Sequence, residues 1–342
     1  MKKKYQNGFF LFGLTVLILM VTQLDFGQVW EGLQRAGYWA LAVIVLWAFL
    51  YMFNTGAWWA IIKSGTAATP SPQLPTPTPQ PAINFWWLYK ITVTGFALNY
   101  ATPGGLMGGE PYRIMMLKTK IGTERASASV ILYAMTHIFS HFWFWLLSCL
   151  LYLLTQRMTV LMWILLPAIT AFCLLAIWFF LRGYKRGITV WMMQLLSHFP
   201  LVKRWAQPFF ERNAEKLGTI DRHIAALHNQ NRRTFITAVG LELACRVASA
   251  LEIFFILLVI MPSANYLQCI LILAFTSLFA NMLFFIPLQL GGREGGFLMS
   301  AGGLGMTASA GIFVALIVRV RELIWTAIGL ALIKLDKKSG TE

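Results

Sequence analysis

Asn99-Tyr-Ala-Thr-Pro103-Gly-Gly-Leu-Met-Gly-Gly-Glu110-Pro-Tyr-Arg113 interrupts a chain that is apolar over most of its length. The stretch holds four glycines, two prolines and an acid three residues ahead of a base. Proline lacks the N–H that a helix interior needs, and glycine leaves the backbone loose, so a helix entering here must break. A second stretch, Asn281-Met-Leu-Phe-Phe-Ile-Pro287-Leu-Gln-Leu-Gly-Gly-Arg293-Glu294-Gly-Gly, has the same parts in nearly the same order. Two matching breaks in the two halves of a hydrophobic chain point to discontinuous helices that meet inside a membrane.

The composition agrees. Of 342 residues, 58% are hydrophobic and only 12% charged, and the mean hydropathy is +0.65. A soluble domain carries about 25% charged residues. Apolar runs of about 20 residues recur, the length a helix needs to cross the hydrocarbon core. The expected fold class is therefore an all-α polytopic membrane protein, and short segments of strict alternation, which would mark a β-barrel, are missing. The net charge of +15 falls in loops between spans, which fits membrane topology and anionic headgroups. With no separate basic domain, nucleic acid is excluded as a partner. Cys149, Cys173, Cys245 and Cys269 all lie in apolar runs without a CxxC pair, and read as small buried hydrophobes. No GxSxG, Walker or GxGxxG element in a suitable context appears, so no cofactor and no metal is expected.

Residues 1–342 read as a single integral membrane domain. Lys2, Lys3 and Lys4 precede an apolar run from Phe9 to Val21. No small-residue cleavage site follows, so the run is expected to stay as a first span with the amino terminus in the cytoplasm. Asp25 to Gly37, with Trp30, Leu33 and the following Tyr38, suits an interfacial helix. Further spans are expected over about Trp39–Ile62, Ser127–Leu154, Thr159–Leu181, Phe235–Ile260 and Ser309–Leu332. Residues 64–82 form a Pro-rich cytoplasmic linker, with six prolines between Thr66 and Pro81 that exclude a helix. Residues 182–233 form a basic cytoplasmic loop with ten Lys or Arg. Lys334, Lys337 and Lys338 put the carboxyl terminus inside as well. Charge parity then makes each glycine break a re-entrant hairpin, the first entering from the cytoplasm and the second from outside. Six full spans and two re-entrant hairpins would form an inverted-topology repeat. An eight-span arrangement, in which both hairpin arms cross fully, is the competing reading.

Charged side chains inside apolar spans face a cavity or a partner. Glu110 and Arg113 share one helix face, and glycines beside them free backbone N–H groups, a combination that suits a phosphate. A turn closed by an internal Glu110–Arg113 pair is the structural alternative. Arg293 and Glu294 repeat the combination, and Asn99, Asn281 and Gln289 add neutral hydrogen-bonding groups. Candidate lipid- or substrate-binding residues are thus Glu110, Arg113, Arg293, Glu294, Asn99 and Asn281. Glu242, Arg246, Arg319, His137 and His141 form a secondary set. Glu242 and Arg246 lie four apart on one face, as an internal salt bridge or as part of a pathway. His137 and His141 have a spacing that can hold a metal, but without further ligands they read as polar lining or proton-handling groups.

The order Asn99…Pro103-Gly-Gly…Gly-Glu110-Pro-Tyr-Arg113, then Glu124-Arg125, then Pro287…Gly-Gly-Arg293-Glu294-Gly, resembles the lysylphosphatidylglycerol synthase transmembrane-region family from about Gly8 to Leu335. The Pro-rich insert departs from that pattern. The resemblance implies a flippase-like protein of the bacterial or archaeal cytoplasmic (inner) membrane that handles membrane lipids with anionic headgroups. It carries over Glu110, Arg113, Arg293 and Glu294 as motif positions. Because the chain stops soon after the last span, the soluble synthase domain and its lysyl transfer are expected to be absent. Alternatives are a membrane-embedded lipid headgroup or glycosyl transferase, for which Glu110, His137 or Glu294 could act as acid or base, and an accessory membrane protein. A homo-oligomer is compatible with all three.

Overall fold

The computed structural model describes residues 26–66, 83–101, 108–183, 232–282 and 292–335, with isolated positions between 8 and 22. Expectations for the first span, the Pro-rich linker, the basic loop, both termini and the two break tips with Pro103, Pro287 and Gln289 lie outside the described residues. Among the described residues there are ten helices and no strand. They are α1 (Phe26–Ala36), α2 (Tyr38–Thr66), α3 (Phe85–Ala101), α4 (Gly109–Ile121), α5 (Thr123–Thr155), α6 (Val160–Gly183), α7 (Arg232–Leu258), α8 (Tyr266–Met282), α9 (Gly292–Gly303) and α10 (Ala308–Leu335).

Three of the described helices are long and apolar enough to cross a membrane, over Tyr38–Ser64, Thr123–Thr155 and Val160–Leu181. They coincide with three of the expected spans. Helices α7 and α10, 27 and 28 residues long, coincide with two more and reach about 40 Å. Away from their ends α7 carries Glu242, Arg246 and Glu252 and α10 carries Arg319, Arg321 and Glu322, so neither is purely apolar. The helices flanking the breaks are shorter. α3 and α8 have 17 residues each, α4 has 13 and α9 has 12.

The sequence explains the ends. α3 is described as far as Ala101, two residues before Pro103, whose ring disfavours a helical residue ahead of it. Pro111 falls in the first turn of α4, where its missing N–H has no helical acceptor to lose. Gly122 (φ +82°) joins α4 to α5 and Gly305 (φ +77°) lies between α9 and α10, both in the left-handed region that a side chain disfavours. The Gly122 N–H caps α4 by donating to Lys118 O at 3.1 Å.

Helices α2–α5 and α7–α10 form two groups with the same internal contacts: first on second, second on third, third on fourth and first on fourth. Between groups, α2 packs on α7, α3 on α10, α8 on α5, α7 on α5 and α2 on α10. Exchanging the groups helix for helix leaves this set of contacts unchanged. The equivalent helices α2 and α7 run antiparallel, since Asn54 reaches Glu242 while the earlier Trp47 reaches the later Glu252. Of the two large apolar cores, one centres on the first group around Trp58, Leu98, Leu117 and Tyr133 and takes in Ala238 and Leu330, and the other on the second group around Ile253, Ile272, Phe297 and Val314 and takes in Val43. All four cysteines are buried free thiols. α1 packs on α10 through Leu33 and Ala36 and leaves Trp30 exposed, an amphipathic arrangement. α6 packs on α5, and its Trp163, Ile164 and Leu175 form a wide apolar outer face.

Two close approaches hold the short helices. A Cβ on Gly109 would strike the carbonyl oxygen of Gly95 on α3, and one on Gly296 would lie 3.3 Å from the Thr276 carbonyl oxygen on α8. Gly109→Ala is therefore expected to destabilise the protein by about 1–3 kcal/mol, the usual range for overpacking, and Gly296→Ala to act in the same direction. Gly303→Ala, where nothing lies within 4 Å, should be close to neutral. Unfolding in detergent followed by tryptophan fluorescence checks the ranking.

Candidate functional site

A cavity of about 590 Å³ lies between the two helix groups. Its lining includes Asn99, Glu110, Arg113, His137, His141, Glu242, Arg246, Asn281, Arg293 and Arg319, ten of the eleven residues singled out from sequence. Glu294 does not line it, but its carboxylate meets the guanidinium of Arg319, which does. Distant stretches of sequence thus converge. The charges sort into three clusters.

The first cluster closes the break between α3 and α4. Asn99 Oδ1 accepts the Gly109 N–H at 2.7 Å, so one orphan donor at the start of α4 is taken by protein. Asn99 Nδ2 donates to Glu110 Oε1 at 3.1 Å, and Arg113 Nη1 donates to the same oxygen at 3.2 Å. Arg113 is only 1% exposed. Its guanidinium carbon lies 4.7 Å from the centre of the Phe96 ring, 5.3 Å from Tyr133 and 5.8 Å from Trp58. Aromatic faces attract a desolvated cation. Gly95 makes the space, since a Cβ there would overlap the guanidinium. The internal Glu110–Arg113 pair is present, and Arg113 is held by α3 and α5 as well as by its own helix.

The second cluster joins α7, α9 and α10. Arg321 donates from Nε to Glu252 Oε1 at 2.7 Å and from Nη2 to Glu252 Oε2 at 3.1 Å, a two-point pair. Trp47 Nε1 donates to the same Glu252 at 3.0 Å. Glu322 meets Arg293, has Arg319 Nη1 at 3.5 Å and Arg321 Nη2 at 3.9 Å. Adjacency in sequence suggested an Arg293–Glu294 unit, but the two reach separate partners on α10, Glu322 and Arg319. Nor does Arg293 meet Glu110. Its guanidinium faces the Tyr100 ring at 5.9 Å, which brings α9 against the end of α3.

The third cluster lies between α2, α5 and α7. Glu242 Oε1 accepts from Asn54 Nδ2 at 3.0 Å, and Oε2 lies 2.7 Å from His137 Nδ1. An ionised carboxylate accepts there, so the ring proton sits on Nδ1. Although Glu242 and Arg246 share a face, they do not pair. Arg246 donates from Nε to Ser140 Oγ and from Nη2 to His137 O, both at 2.8 Å. Among the described residues Arg246 makes no ion pair. His141 follows His137 along the wall, ring centres 5.5 Å apart. Among the described residues no group of three or more ligating side chains could hold a metal. Asn281 Nδ2 donates to Ser277 O at 2.7 Å, one turn back on α8.

Sequence reading missed Asn54, Trp47 and Tyr100. Asn54 had a signal, as an uncompensated amide inside an apolar span. Trp47 and Tyr100 had none, because aromatics are frequent throughout this chain.

Apolar spans enclosing a cavity of paired charges define a multi-pass helical membrane protein with an internal polar site. The chain belongs to the lysylphosphatidylglycerol synthase TM region family, whose match covers residues 8–329. No curated protein and no solved structure gives a match. The family places the chain among membrane proteins related to lipid metabolism and transport.

Breaking a buried ion pair strands a charge and costs about 3–5 kcal/mol, whereas replacing both partners is far milder. Glu252→Gln and Arg321→Gln are each expected to lower unfolding stability in detergent sharply. The double variant should be more stable than the sum of the two losses, and strict additivity would contradict the pairing.

Proposed function

We propose that the protein carries an anionic phospholipid or a lipid-linked precursor across the bacterial or archaeal cytoplasmic membrane, as a flippase or transporter. The observation that carries this reading is the cavity, in which charges from α4, α7, α9 and α10 face one space enclosed by apolar helices. Charges inside a membrane protein mark a substrate or ion path. In this reading α3–α4 and α8–α9 are two re-entrant hairpins of an inverted repeat, with both chain termini in the cytoplasm. Three features support it: the interchangeable contacts of the two groups, the antiparallel run of α2 and α7, and the lengths of α4 and α9. At about 20 Å each, these two arms fall short of the roughly 30 Å hydrocarbon core.

Along its path the headgroup passes Arg293 and Arg319, which Glu322 engages, and Glu110, Arg113 and Asn99 line the same space. Glu110 and Glu294 orient these arginines or take a cationic part of the headgroup, with Asn281 as a neutral contact. Alternating access in a repeat of this kind requires the pairs on one side to open while those on the other stay closed.

A second reading, a membrane-embedded headgroup or glycosyl transferase, draws on the His137–Glu242 pair at 2.7 Å, a histidine oriented by a carboxylate as in general acid–base sites. Lipid extracts of a deletion strain separate the two: loss of one modified lipid speaks for the transferase, altered sidedness of an unmodified one for the carrier. In proteoliposomes, headgroup movement of at least one anionic lipid is expected above that in empty vesicles, and Arg293→Gln should reduce it at least tenfold. No movement across several anionic lipids counts against the carrier.

A further inference from the structure

We infer that Arg246 is the residue that holds the phosphate of the amphiphile, whose apolar part then rests on the aromatic wall between α5, α6 and α8. The inference deepens the carrier reading and rests on it for the class of ligand. It begins from the charges around the cavity. Arg113 has Glu110. Arg293, Arg319 and Arg321 share Glu252, Glu294 and Glu322. Glu242 is engaged by His137 and Asn54. Arg246 is the lining arginine that, among the described residues, has no carboxylate partner.

Its geometry is that of a prepared anion contact. Two of its three nitrogens are fixed by neutral acceptors on α5, Ser140 Oγ and the His137 carbonyl. These bonds orient the guanidinium without cancelling its charge, and leave Nη1 with the second Nη2 hydrogen to donate to phosphate oxygens. Occupying Arg246 breaks no ion pair, whereas each of the other four lining arginines must first release a glutamate. His141 lines the same wall and adds a hydrogen-bonding ring.

The surroundings choose an amphiphile over a free anion. Beyond His141 the lining turns apolar through Phe142, Phe144 and Leu278 to Phe172 on α6. Phe172 is 52% exposed on the outer face of the bundle, so the cavity wall continues toward lipid. A headgroup on Arg246 with its chain leaving past Phe172 removes the charge from hydrocarbon and keeps the tail in it.

The test uses the full chain in detergent with three probes: dihexanoylphosphatidylglycerol, inorganic phosphate, and a neutral dihexanoyl glyceride. Calorimetric titration should show the phosphatidylglycerol binding at least tenfold more tightly than either of the others. Arg246→Gln should weaken it at least tenfold, Arg246→Lys should recover part of the loss, and Arg157→Gln, an exposed cation in the α5–α6 loop, should change nothing. A readout on the unaltered protein covers a variant that fails to fold: phenylglyoxal labelling followed by mass spectrometry should show Arg246 protected by the probe. Wild-type affinity in Arg246→Gln, or protection confined to Arg293 and Arg319, overturns the assignment of Arg246 and leaves the carrier reading standing. Equal binding of inorganic phosphate overturns the aromatic seat. If no anionic amphiphile binds the wild-type protein, both the inference and the anionic-lipid reading fall.

Discussion

Glu322 lies 1% exposed within reach of three guanidinium groups, and a carboxylate so buried in a membrane protein is tolerable only with that company. The packing of the second helix group follows from this constraint. Arg293 brings the start of α9 onto α10, and Glu294 does the same through Arg319. Arg321 ties α10 to α7 through Glu252, and Trp47 brings α2 to the same carboxylate. Dispersion alone distinguishes poorly between one apolar helix surface and another in lipid. Ion pairs with fixed partners do distinguish, and so set which helices meet and in what register.

The first group meets the same constraint differently. Arg113 has one carboxylate, Glu110, and three aromatic rings around it. The second group spreads three arginines over three glutamates. The two halves therefore share a contact plan and glycine placement, with Gly109 and Gly296 at the matching close approaches and Gly122 and Gly305 in the links before the last helix of each. Their chemistry differs, as expected if the scaffold is repeated and the site is not.

Much of the scaffold was legible in the sequence because its signals are local. Apolar length placed α2, α5, α6, α7 and α10, and proline with glycine placed the ends of α3 and the start of α4. Polar residues out of place marked the site, and ten of eleven do line one cavity. Pairing was not legible. Glu242 and Arg246 stand one turn apart, as do Glu110 and Arg113, but only the second two pair with each other. What decides is which neighbouring helix presents a better partner, His137 and Asn54 in one case and a closed aromatic cage in the other. Sequence spacing shows which side chains share a face but not what stands opposite. For the same reason adjacency in sequence does not make Arg293 and Glu294 one unit: they are bound to different residues of α10.

Charge balance limits how such a cavity can work. Five lining arginines face four lining glutamates, and Glu294 behind Arg319 makes five against five. The empty cavity thus needs no ion from solvent to be neutral. Arg246 is balanced at a distance, by Glu242 one turn away, and not by contact. In the proposed carrier, an arriving phosphate would replace a weak, indirect counter-charge with a direct one, while Glu242 keeps His137 and Asn54 as partners. When the phosphate leaves, the indirect balance is still in place; while it is bound the cavity carries one extra negative charge, and Glu242 is left with the hydrogen bonds of His137 and Asn54. A site whose every arginine was already in contact with a carboxylate would bind the same phosphate only by breaking a pair. In the proposed carrier, leaving one cation indirectly compensated would keep binding and release within reach of each other, which a purely structural ion-pair core does not need.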